Sequence, residues 1–165
     1  MPRRLAIRSM VPLAAGLAVA LVLGGTASGA RSADSTEQAV RDLVPRIVRA
    51  WESLDITKVD PHYAADADLT FFDIAPLQYA NWAEYRVGVQ KAFFEPNRSL
   101  KFAVKDDLRV HHRSNLAWAT FTFGADAVSK QGATSHLDGR WTLVLEQRKG
   151  RWVVVHEHVS VPLAG

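Results

Sequence analysis

The 165-residue chain carries 20 Lys and Arg, 17 Asp and Glu, and no cysteine. Lacking cysteine, it has no disulfides, no thiol catalysis, no Cys-ligated zinc and no iron–sulfur cluster. Its net charge of +3 sits in the first segment, whose three arginines leave 17 basic and 17 acidic side chains in the rest. No Lys/Arg run exceeds two residues, so a nucleic-acid footprint is absent.

Arg3, Arg4 and Arg8 precede an apolar run from Met10 to Leu23, and small residues including Ser28 and Ala30 close it. That pattern predicts a cleaved signal peptide over residues 1–30, because the run is shorter than the roughly 20 residues a spanning helix needs. The mature protein is therefore expected to be exported, periplasmic or secreted, with no stable membrane insertion. Arg31 to Asp34 read as a flexible tether, and residues 35–165 as one domain.

Asp34 or Ser35 can cap the first helix. Val40, Leu43, Val44, Ile47, Val48, Trp51 and Leu54 recur at three- and four-residue spacing and define its apolar face. Pro45 should kink or divide it. A short second helix is expected over Thr57–Tyr63, and a strand over Asp68–Asp73. Asn81 can cap a third helix from Trp82 to about Phe94. Four strands follow: Leu100–His112, Leu116–Ser129, Ala133–Gln147 and Arg151–Val161. Their short polar connections predict antiparallel hairpins. The order is α+β, a strongly curved, mostly antiparallel sheet wrapped as a cone around about three N-terminal helices.

Alternation assigns faces. Ala117, Ala119, Phe121 and Phe123 share one face of their strand, and Trp141, Leu143 and Leu145 oppose Arg140, Thr142, Val144 and Glu146 on the next. In the last strand Val153, Val155, Glu157 and Val159 oppose Trp152, Val154, His156, His158 and Ser160. Trp118, Trp152 and Val154 on the outer face call for cover, and a second copy of the chain is the simplest.

Tyr63-Ala64-Ala65-Asp66-Ala67 followed by Leu69–Asp73 resembles the opening of SnoaL-like domains. The stretch from Asp73 through Pro76, Tyr79 and Trp82 to Arg86 resembles the loop and helix that follow there. Gly139–Glu146, Gly150-Arg151-Trp152 and His156–Ser160 resemble the closing hairpin, which also looks like that of calmodulin-dependent kinase association domains. The resemblance spans about Ser35 to Pro162. It implies a nuclear-transport-factor-2-like cone, usually dimeric, with an internal pocket. The superfamily holds isomerases, cyclases, dehydratases, ligand-binding modules and assembly domains, so fold alone does not choose a function.

The resemblance to ketosteroid isomerases implies a first-strand Asp as base, with a Tyr and a protonated Asp as oxyanion hole. Gapless alignment from Tyr63 puts the base position at Phe71, with Asp73 two residues on along the same face. The helix-1 Tyr position falls on Ile47, and the oxyanion-hole Asp falls near Trp141 or Thr142. At most one of three catalytic groups survives, and a base without an electrophile gives little rate.

Asp73 is therefore either a pocket carboxylate, even a general base, or a turn cap. Tyr79, Trp82 and Tyr85 either line an apolar pocket or pack the core. Glu157, between valines, either sits inside the cone or points out at a twisted rim. Inside, burial would raise its pKa or demand a partner, for which Arg86, Arg140 and His136 are candidates. Arg140 otherwise pairs with Glu146 or across the dimer. His156 and His158, with His111 and His112, have the types for zinc but no carboxylate on their face, so no metal is expected. No cofactor motif appears. The expected ligand-pocket set is Tyr79, Trp82, Tyr85, His136, Arg140 and Trp141. The expected function is binding of a small apolar or aromatic ligand, or a dimeric accessory role. The alternative is a small isomerase, cyclase or dehydratase using Asp73 or Glu157.

Overall fold

The computed structural model describes residues 26–66 and 68–163, with side chains from residue 35 onward. Most of the expected signal peptide lies outside the described residues.

Helix α1 runs over Thr26–Glu52 and continues through Pro45. It also includes Arg31–Asp34, the stretch read as a tether, which holds Ala and Arg but no Gly or Pro to stop a helix. Val40, Leu43, Val44, Ile47, Val48 and Trp51 are all buried, as their periodicity requires. Each contributes roughly 1.5–3 kcal/mol from leaving water. The chain turns at Leu54, which takes a φ of 54°. Asp55 then caps the single turn of α2, Ile56–Val59, by accepting the Thr57 N–H at 3.0 Å. The longer second helix is replaced from Asp60 by a 3₁₀ turn, Asp60–His62, with Pro61 at its start, where a missing N–H costs nothing.

Asp68–Asp73 is not a strand. Only Phe71 and Phe72 pair, Phe71 with Tyr79 and Phe72 with His158. Helix α3, Trp82–Val89, is capped by Asn81, whose side chain accepts the Glu84 N–H at 2.9 Å. A π turn, Gln90–Phe94, extends it until Pro96.

The sheet has five strands: β1 Asn97–Val104, β2 Arg109–Arg113, β3 Leu116–Ser129, β4 Thr134–Arg148 and β5 Arg151–Ser160. Their order is β1-β3-β4-β5, all antiparallel, with β2 also paired to β3. The single strand expected over Leu100–His112 is broken because Asp107 accepts both the Thr122 N–H (3.0 Å) and its hydroxyl (2.9 Å), substituting for backbone pairing. The β4–β5 loop is Lys149-Gly150, with φ of 49° and 79°, the type I′ geometry that matches strand twist.

Ala117, Ala119, Phe121, Phe123, Trp141, Leu143 and Leu145 form the buried face. Strict alternation fails in β5. The register steps from Val144↔His156 to Leu145↔Val154, leaving Val155 as a bulge. Val154 therefore turns inward and is fully buried rather than outward-facing. Trp152 also packs partly against the core. No described helix is long and apolar enough to cross a membrane.

Candidate functional site

The loop after Phe71 is clamped on two sides. Phe71 and Tyr79 exchange both backbone hydrogen bonds (3.0 and 2.8 Å), while Phe72 bonds to Glu157 O and Val159 N (2.9 and 3.0 Å). This fixes Asp73, Ile74 and Ala75 at the wall of a hollow of about 310 Å³ between helices and sheet. Trp51 of α1, Tyr85 and Val89 of α3, and Ala92 and Phe93 of the π turn wall one side. Phe102, Phe123, Ala125, Leu137, Trp141 and Val159 supply the sheet side, and Tyr79 completes it. Two glycines let aromatic rings in close. A Cβ on Gly88 would lie 2.4 Å from the Tyr79 ring, and one on Gly139 would lie 2.5 Å from the tip of Phe123.

Glu157 lies beneath this wall and does not line it. It is fully buried. Its Oε2 accepts from the Tyr63 hydroxyl at 2.5 Å and the Trp141 indole N–H at 3.1 Å. Its Oε1 accepts from the Tyr85 hydroxyl. Trp51 donates in turn to Tyr63 Oη at 3.0 Å. Burial pushes the Glu157 carboxyl from its ordinary 4.5 to about 7, against the pull of its three donors. Burial and the Glu157 charge hold Tyr63 and Tyr85 well above the usual phenol range.

Asp73 differs in kind. Its Oδ1 accepts the Ile74 N–H at 2.7 Å, and its carboxyl opens on the hollow. Burial raises its pKa, with the Ile74 N–H and the Tyr85 hydroxyl opposing.

Asp73, Tyr79, Tyr85 and Trp141 are thus brought together. Trp82 is not at the cavity: it stacks on Tyr63 (centroids 4.1 Å apart) and donates to Asp60 Oδ1 at 3.0 Å. Arg86 is bound to Asp60 at 2.8 Å, and His136 sits exposed against Asp126 at 2.7 Å. Arg140 is exposed, and Glu146 pairs with Arg148 instead. The Glu157 partners are therefore three neutral donors, not Arg86, Arg140 or His136. His136 and Arg140 occupy the outward positions of β4, between inward Leu137, Gly139 and Trp141. The His156 ring nitrogen faces the Thr70 carbonyl at 2.7 Å, and among the described residues no three His, Asp or Glu converge. Tyr63 and Trp51 were missing from the expected site. A lone buried Glu must find donors, and the tyrosines and tryptophans are the types able to supply them from an apolar core.

A bent antiparallel sheet closed over helices, with a hollow between them, is the architecture of nuclear-transport-factor-2-like proteins. Solved relatives carry the same fold. One is such a superfamily protein from Salmonella enterica serovar Typhimurium LT2, at 19% identity and TM-score 0.73, covering 79% of this chain and 94% of that one. An NTF2-like protein of unknown function from Pseudomonas putida KT2440 aligns at 24% identity and TM-score 0.68, over 79% and 89%. The association domain of C. elegans CaMKII aligns at 18% identity and TM-score 0.62, over 79% and 98%. No curated protein matches in sequence. The SnoaL-like domain model matches residues 40–164, and the chain belongs to that family.

Proposed function

We propose that this is an exported, homodimeric binding module whose hollow holds one small apolar or aromatic molecule, with Asp73 as its polar contact. The observation that carries this reading is a hollow of about 310 Å³ walled by aromatic and aliphatic side chains, with one carboxylate on it. That is the low end of the size range for small-molecule sites, and the lining has their usual chemistry. The other candidate carboxylate, Glu157, is committed to Tyr63, Tyr85 and Trp141 and holds the wall together instead of meeting a ligand. Native mass spectrometry of protein purified from its own host tests the reading. A co-purified small molecule, one per chain, supports it; a bare chain under conditions that retain bound aromatics counts against it.

One observation favours a second reading, a small isomerase, cyclase or dehydratase. Burial pushes the Asp73 carboxyl upward, as suits a group that takes a proton. In that reading Asp73 is the base. Turnover of the co-purified molecule, lost in Asp73→Asn, would select it.

A further inference from the structure

The charge balance of the hollow narrows its ligand. Among the described residues lining it there is a carboxylate, Asp73, and no Lys, Arg or His. Among the described residues Asp73 makes no ion pair, and the hydrogen bond it accepts comes from the Ile74 N–H. The cations expected at the site are placed elsewhere. Arg86 is held by Asp60, His136 by Asp126, and Arg140 lies exposed on an outward position of β4. His158 borders only the adjoining open cleft, which shares Asp73, Ile74 and Val159 with the hollow, and its ring lies against Phe72. A carboxylate facing an apolar space with no cation is costly unless something supplies the opposite charge.

The rest of the wall is rich in aromatic rings. Trp51, Tyr79, Tyr85, Phe102, Phe123 and Trp141 all border the space. Ring faces carry negative potential and attract ammonium groups, more strongly where water is excluded. An anionic ligand would meet the Asp73 carboxylate and no compensating cation. A neutral one would leave the carboxyl as it is, raised by burial. A cation would restore its ionised form.

We infer that the hollow takes a protonated organic amine, its ammonium against Asp73 and its apolar or aromatic body among Trp51, Phe102, Phe123 and Trp141. This rests on the binding-module reading and specifies its ligand class.

The test is calorimetric titration at neutral pH with three probes of one shape: 2-(1-naphthyl)ethylamine, 2-(1-naphthyl)ethanol and 1-naphthylacetate. The amine should bind at least tenfold tighter than the alcohol, and the carboxylate weakest. In Asp73→Asn the amine preference over the alcohol should collapse to about twofold. Alcohol binding equal to or better than amine binding overturns the amine class and leaves the apolar site standing. An amine preference that survives in Asp73→Asn also overturns it. Failure of all three probes to bind overturns the binding-module reading itself.

Discussion

The Tyr85 hydroxyl donates to Glu157 from the wall of the hollow, as the Trp141 indole also does, so this fully buried carboxylate meets the cavity through its donors and not directly. Position and chemistry together make Glu157 the element that fixes the directions of Tyr63, Tyr85 and Trp141.

Glu157→Leu fits the volume but orphans three buried donors. Each unsatisfied buried group costs about 1–3 kcal/mol, with partial relief as the tyrosines reorient. A net loss of roughly 2–4 kcal/mol in urea denaturation is expected. A change below about 1 kcal/mol would mean the donors find other partners.

The same residue sets a pH dependence. Its folded pKa is about 7 against an ordinary 4.5. Between those values the folded state holds a proton that the unfolded state has lost. Stability from this group is therefore full below about pH 4.5, falls as pH rises, and is lost above about 7. The total is on the order of 3 kcal/mol. Glu157→Gln should remove that slope. Urea midpoints measured from pH 4.5 to 8 check it, and parallel profiles for the two proteins would refute it.

Asp73→Asn should behave in the opposite way. Asn can still accept the Ile74 N–H, and it removes a carboxyl that burial already disfavours. The melting temperature at neutral pH should be unchanged or raised, by the equivalent of at most about 1 kcal/mol, the usual signature of a site residue. A drop of several degrees would assign Asp73 to the turn instead.

Gly139→Ala places a methyl 2.5 Å from the tip of Phe123, a ring that lines the hollow. Overpacking should cost about 1–3 kcal/mol, and affinity for a naphthyl probe should fall at least tenfold. Melting curves and titration separate the two effects.

The outer face carries the row His111, Trp118, Val144 and His156 across four strands in register. Trp118 is half-buried, stacked on His111 with centroids 5.3 Å apart. Light scattering should give a dimer for the mature protein and a folded monomer for Trp118→Glu. A monomeric parent would end the dimer proposal.

Most of the architecture was legible because it is periodic. The apolar stripe from Val40 to Trp51 and the alternation in β3 and β4 each place side chains without reference to partners. What was illegible depends on tertiary pairing. The bulge at Val155 reversed Val154, and nothing in the local pattern marks it. Asp107 ended β1 by bonding to Thr122, fifteen positions away. Trp82 and Tyr85 look alike as helix aromatics, yet Asp60 draws one indole away while Glu157 draws the other ring to the wall. The site's carboxylates stood out as charges among apolar residues, but whether each meets ligand or protein was set by neighbours distant in sequence.

Intrinsic tryptophan fluorescence tests the central claim most directly, since Trp51 and Trp141 both border the hollow. Titration with 2-naphthol should quench it saturably at one molecule per chain. In Ala125→Phe, whose new ring would occupy the same space, affinity should drop at least tenfold while the melting curve stays cooperative. Quenching that does not saturate, or that is the same in the filled variant, would contradict a ligand inside the fold.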